Sequence, residues 1–145
     1  MSLFFRTFVL VLAGALSLPA AARSCYVSTD TSGVVPPPVV TEKCFEYHGV
    51  DDEKAIDWVC SDSEAVENSR RELRDSCPAG HFGVCSAPMT AETLANERAT
   101  GTQADNGTLP TTVAKDARII TYNYHASDRG QARIDCESAG GEWSQ

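Results

Sequence analysis

"CFEYHGVDDEKAIDWVC" occupies Cys44–Cys60, and "TYNYHASDRGQARIDC" occupies Thr121–Cys136. Both contain aromatic-x-Tyr-His, then Asp three residues after the His, then Ala, then Cys. Aligning the two requires a one-residue gap before the Cys. Around the first copy, "KCFEYHG" alternates, with Phe45 and Tyr47 on one side and Cys44, Glu46 and His48 on the other. That is a strand pattern, and Gly49 ends it. Acids then open "DDEKAIDWVC", where a helix N-terminus favours them. Ala55, Ile56, Val59 and Cys60 fall on one helical face. The second copy has the stronger strand signal, with Ile120, Tyr122 and Tyr124 of "ARIITYNYH" on one face. Ser127 is placed to cap the helix after it. Ala132, Cys136 and Ala139 share a face of that helix, and Gly140-Gly141 ends it. Each copy therefore reads as a strand followed by a helix whose last turn carries a Cys. The strand aromatics would pack on the helix Ala, and the Cys would staple the helix to another element. Neither copy can bury its apolar face alone, so a pair sharing one core is expected.

Working outward, "SDSEAVENSRRELRDSC" reads as a further helix. Ser61 and Glu64 have capping-box spacing, and Val66, Leu73 and Cys77 form a narrow apolar stripe. His81–Ala87 reads as a short strand. Residues 88–116 have no aromatic and many Thr, Ala, Asn and Gly, and read as a mobile loop. Residues 23–43 read as an extended lead-in whose prolines, Pro36 to Pro38, favour polyproline II. Residues 1–22 read as a secretory signal peptide: Arg6, an apolar run from Phe8 to Leu18, Pro19, then three small residues. The expected fold is α+β: one disulfide-braced domain over 44–145, with a short antiparallel sheet and two or three helices.

Six cysteines stand at 25, 44, 60, 77, 85 and 136. In an exported chain an even count reads as three disulfides. Spacing selects none of the 15 connectivities, although the closeness of Cys77 and Cys85 suggests a hairpin-like bridge. Without a CxxC or a tight Cys/His cluster, zinc is disfavoured. Arg23 and Ser24 before Cys25 fit a lipoprotein signal poorly. The chain after residue 22 keeps all 20 acids and 11 of the 12 Lys and Arg, a balance of −9. Such a field repels phosphate backbones and anionic lipid heads and favours a basic partner. After the signal peptide no stretch is long and apolar enough to cross a membrane as a helix.

His48 and His125 occupy matching places in the two copies, which raises a two-His catalytic or metal site with Glu46, Asp51 and Asp128 as nearby acids. The competing reading has both rings bonded to the neighbouring turn, and the acidic surroundings disfavour a phosphodiester substrate. There is no GxSxG and no HExxH. No metal and no cofactor is expected. "CPAGHFGVC" at 77–85 together with "YNYHASDRGQARIDCESAGGEW" at 122–143 resembles small exported cysteine-rich bacterial proteins, which carry Cys-Pro, Gly-x-Cys, a Tyr-rich strand and a closing Cys with Gly-Gly-x-Trp. The likeness covers roughly residues 43 to 143 and implies a fold and a compartment, not a reaction. The long stretch after Cys85 departs from it.

These readings converge on an exported acidic binding protein of the inhibitor or immunity kind, facing an envelope-directed basic partner. The acids Asp51, Asp52, Glu53 and Asp57 are its expected contact surface. A small secreted hydrolase using His48 and His125, and a secreted effector acting on another cell, are the alternatives.

Overall fold

The computed structural model describes residues 24–32, 37–50, 53–61, 68–90, 93 and 113–145. The strands are β1 (Ser24–Thr29), β2 (Val40–His48), β3 (Ser69–Arg74), β4 (Gly83–Pro88), β5 (Arg118–Ala126) and β6 (Glu142–Ser144). Among the described residues the helices are α1 (Glu53–Val59) and α2 (Arg129–Ser138). All six strands form one antiparallel sheet in the order β3-β1-β2-β5-β4-β6.

The protein is thus predominantly β, which corrects the expected α+β fold built on a short sheet. The largest error lies at 61–77. Of that predicted helix, residues 61 and 68–77 are described, and within them Ser69–Arg74 is the edge strand β3. Its "SRRELR" alternates Arg and Glu outward with little apolar content. Charges on an edge strand discourage further chains from pairing with it. Leu73, read as part of a buried stripe, is 43% exposed. Residues 23–43 are not a lead-in outside the domain, because β1 lies inside the sheet between β3 and β2. Most of 88–116 and all of 1–22 fall outside the described residues. Within the former, Met89 is buried and Val113 packs on the core.

The two quoted stretches are neighbours, since β2 pairs with β5. The repeated unit is larger than a strand and a helix, however. β1-β2-α1-β3 and β4-β5-α2-β6 have the same topology, laid out from the middle of the sheet to opposite edges. In each unit the second and fourth elements' strands (β2 and β3, then β5 and β6) run parallel with the first strand between them. The connection must therefore cross a face of the sheet, and the helix makes that crossing. Each helix is bonded to the strand it crosses, through Cys25–Cys60 in the first unit and Cys85–Cys136 in the second.

Register makes the correspondence quantitative. A displacement of 76 residues relates Cys60 to Cys136 and Phe45 to Thr121. Phe45 and Thr121 also pair with each other. A pseudo-twofold axis therefore passes between them. The same displacement carries the pair Cys44–Tyr122 onto the observed pair Glu46–Ile120. Cys25 lies opposite Phe45, and Cys85 opposite Thr121. The aromatic-x-Tyr-His likeness needs a displacement of 77, one residue out of phase. Because side chains alternate along a strand, one residue reverses the face. Phe45 and Tyr47 point to the helix side, and Tyr122 and Tyr124 point to the other. The expectation that both sets of aromatics pack under a helix fails for the second copy.

The core cluster sits mainly in the first unit: Cys25, Val27, Phe45, Tyr47, Ala55, Ile56, Val59, Cys60, Met89, Ala117 and Ile119 are all buried. In the second, Ala132 and Cys136 are the buried residues of α2. Asp128, not Ser127, caps α2, accepting from the Gln131 N–H at 3.0 Å. Such a cap contributes about 1 kcal/mol. At the sheet edge, the Trp143 indole occupies the space beside Gly83, where a Cβ would meet its Cζ2 at 2.0 Å.

Candidate functional site

The helices, bonded through Cys25 and Cys85, share one face of the sheet. On the other face alternation places Tyr26, Glu42, Cys44, Glu46, His48, Arg70, Glu72, Arg74, Arg118, Ile120, Tyr122 and Tyr124. On this face only Ser24 and Cys44 are buried among the described side chains; the rest are half-buried or exposed.

Its centre is a tyrosine layer. The rings of Tyr26, on β1, and Tyr124, on β5, are 5.6 Å apart across β2. The Arg74 guanidinium stacks over Tyr26 at 4.1 Å, and also bonds Glu72 at 3.1 Å. The Tyr26 hydroxyl donates to Glu42. The Tyr122 hydroxyl donates to Glu46 at 3.1 Å, and Tyr124 donates to the Pro78 carbonyl at 2.6 Å. Burial, reinforced by Glu42, pushes the Tyr26 phenol up to about 12. Burial, with Tyr122 and Glu46 next in effect, does the same for Tyr124. Tyr122 moves in the same direction, through burial and then Glu46. All three therefore remain neutral hydroxyls across the physiological range, able to hydrogen-bond but not poised as bases.

Across this layer runs the connection from β3 to β4. It must cover four inter-strand spacings, roughly 19 Å. Cys77 bonds Cys44 on β2, and its N–H donates to Glu46 at 3.2 Å. Pro78 accepts from Tyr124. The His81 ring meets Tyr122 edge-on at 5.1 Å and Tyr124 at 6.4 Å. The Phe82 N–H then joins the Asn123 carbonyl at 2.8 Å. Residues 75–82 form a strap, and the hairpin-like Cys77–Cys85 bridge suggested by spacing is not made.

The predicted His pair is not brought together. His48 lies opposite Arg118, and His125 opposite Glu42, at the two ends of the β2–β5 ladder. The register positions are six residues apart on β2, roughly 20 Å. Both rings are exposed. His48 lies 3.7 Å from Glu46, and His125 shares a 2.8 Å hydrogen bond with Thr41. Antiparallel pairing of two like strands necessarily sends their C-terminal ends apart. Among the described residues no three His, Cys, Asp or Glu side chains converge on a point that could hold a metal ion.

Of the predicted acidic surface, Asp57 is exposed on α1, while Asp51 and Asp52 lie outside the described residues. Glu53 opens α1. The sequence does not mark the tyrosine layer as a site, because the repeat pattern packs Tyr122 and Tyr124 against the helix Ala. The mixed acid and arginine content of the strands opposite them was the available signal. Cys25 is buried and bonded to Cys60, so its sulfur is committed to the fold.

No protein-family model, curated protein or solved structure matches the chain. Three intramolecular disulfides fit an extracytoplasmic compartment. No helix among the described residues is long and apolar enough to cross a membrane.

Proposed function

We propose that the chain is an exported binding protein that holds a basic protein partner on the tyrosine face of its sheet, as an inhibitor or immunity protein holds its target. The observation that carries this reading is the stacked pair Tyr26 and Arg74 on the side of the sheet away from both helices, beside the Tyr122 and Tyr124 rings that the strap contacts. Tyrosine and arginine are residues in which interface binding energy concentrates, tyrosine for its large rigid contact area and arginine for its planar, stacking guanidinium. Glu42 and Glu72 lie around them, and the balance of −9 supplies a steering field for a cationic partner. The neutral phenols and separated imidazoles favour recognition over catalysis. Asp57, exposed on α1, adds to the steering field.

The test is to isolate the envelope-directed partner with the intact chain, then compare two sets of variants that retain native circular dichroism. Truncating Tyr26 and Arg74 to Ala should weaken binding by about tenfold or more, mainly through faster release. Reversing Asp51, Asp52 and Asp57 to Lys should slow association, and that effect should shrink as salt is raised. A complex indifferent to both sets defeats the reading.

A further inference from the structure

The Cys44–Cys77 bond has no counterpart under the pseudo-twofold axis. Cys25–Cys60 and Cys85–Cys136 are equivalent and hold each helix to the strand it crosses. The position equivalent to Cys44 is Ile120, which has no sulfur to bond. Cys44–Cys77 is thus dispensable to the repeated architecture. Its service is to hold 75–82 across the tyrosine layer, together with the Tyr124–Pro78 and Cys77–Glu46 hydrogen bonds.

The three bonds also differ in access. Cys25 and Cys60 are both buried. Cys85 is half-buried and Cys136 buried, and the Gly141 backbone packs closely on their bond: a Cβ there would meet the Cys85 and Cys136 sulfurs at 2.7 and 2.8 Å. Cys44 is fully buried, but Cys77 is half-buried in a bend between strands, with the exposed residues Asp75, Ser76, Ala79 and Gly80 around it, so attack is open at the Cys77 sulfur. We infer that Cys44–Cys77 is a reducible clasp: a dithiol reductant opens it selectively, frees the strap and uncovers the tyrosine layer while the two architectural disulfides keep the sheet and helices intact. The dithiol's thiolate attacks the Cys77 sulfur, the S–S bond breaks, and Cys44 leaves as a thiolate that takes up a proton. The reductant's second thiol then attacks its own sulfur in the mixed disulfide. Cys77 is released as a thiol and the reductant becomes a cyclic disulfide. One protein disulfide gains two electrons, and the dithiol loses two. The inference rests on the proposed use of the tyrosine face only for its biological consequence, since the order of reduction is independent of any partner.

The experiment titrates the native, full-length oxidised chain with dithiothreitol in the absence of denaturant, traps thiols with iodoacetamide and maps them by peptide mass spectrometry. Cys44 and Cys77 should label about tenfold faster than the other four. In the singly reduced protein, two changes should follow: amides in 75–82 lose protection from hydrogen exchange, and phenol titration shifts down toward its ordinary range. Labelling that begins at Cys85 and Cys136, or in which all six cysteines appear together, overturns the clasp. So does selective reduction with unchanged protection of the strap. A clasp that opens as expected without altering partner affinity would instead count against the binding reading alone.

Discussion

The two halves of the sheet share a topology, a register and a helix-to-strand disulfide, yet they solve the packing problem differently. In β1-β2-α1-β3 the large rings come from the central strand. Phe45 and Tyr47 are buried under α1 with Ile56 and Val59, while the edge residue Leu73 is 43% exposed. In β4-β5-α2-β6 the equivalent central positions are Thr121 and Asn123, and the equivalent of Leu73 is Trp143. Asn123 is buried and satisfies its amide on the Gly83 and Thr121 carbonyls. Trp143 reaches inward across Gly83 and meets Phe82 at 6.1 Å. The aromatic mass has moved from the middle of the sheet to its edge. The difference teaches that a covalent bond can fix where a helix lies while the side chains beneath it diverge. It also shows what the displaced tyrosines gained: a place on the opposite face, where they form a second layer under the strap.

The sharpest way to break this comparison is to truncate equivalent positions. Phe45→Ala should cost about 3–5 kcal/mol, the usual range for a buried ring. Thr121→Ala, at the paired position, should cost less than about 1 kcal/mol. Urea denaturation of both variants decides the matter. Equal losses would mean that the two halves share one core and that the contrast drawn here is false.

A smaller effect is expected at the edge. Gly83→Ala forces a methyl into the Trp143 indole and should cost about 1–3 kcal/mol, with a change in tryptophan emission. Combining it with Trp143→Ala should be distinctly less than additive, because the second change removes the obstacle to the first. Additive losses would show that Trp143 does not close the second half.

The contrast between halves also explains what could be read from the sequence. Ala55, Ile56, Val59 and Cys60 were legible as one buried helical face because helix periodicity is local. The strand Arg118–Ala126 was legible because β-branched and aromatic residues are dense there. β3 was not, since an edge strand that is half solvent and carries Arg70, Glu72 and Arg74 shows the same charges as a solvated helix. The repeat was visible, but its phase was not. Matching the Tyr-His motifs calls for 77 residues and matching the cysteines for 76, and only cross-strand register chooses between them. That one residue decides whether Tyr122 and Tyr124 are core or surface. The candidate site was therefore misplaced along with them, and the His pair was drawn together by a likeness that antiparallel pairing pulls apart.

The last effect is a slope in pH, absent at neutral pH, and concerns the tyrosine layer alone. Tyr26 and Tyr124 are held up to about 12 in the folded chain, and Tyr122 is raised, against an ordinary value of 10.0. Below pH ~10 the phenols are protonated in both folded and unfolded chains, so their contribution to stability is fully present. Between about 10 and 12 the unfolded chain gives up protons that the fold still holds. The unfolded state then binds fewer protons, and stability falls as pH rises through that window. Changing Tyr26, Tyr122 and Tyr124 together to Phe should flatten this fall. At pH 7 the triple variant should lose only its hydroxyl hydrogen bonds, about 0.5–1.5 kcal/mol each. Denaturant midpoints taken at pH 7, 10 and 11.5 for the two proteins measure both effects. The first half provides the control, because Phe45 has no proton to lose and Phe45→Leu should leave the alkaline slope as it is. If the triple variant keeps the wild-type slope, the phenols are not the groups that titrate against the fold, and the layer beneath the strap is no more closed to solvent than the rest of the surface.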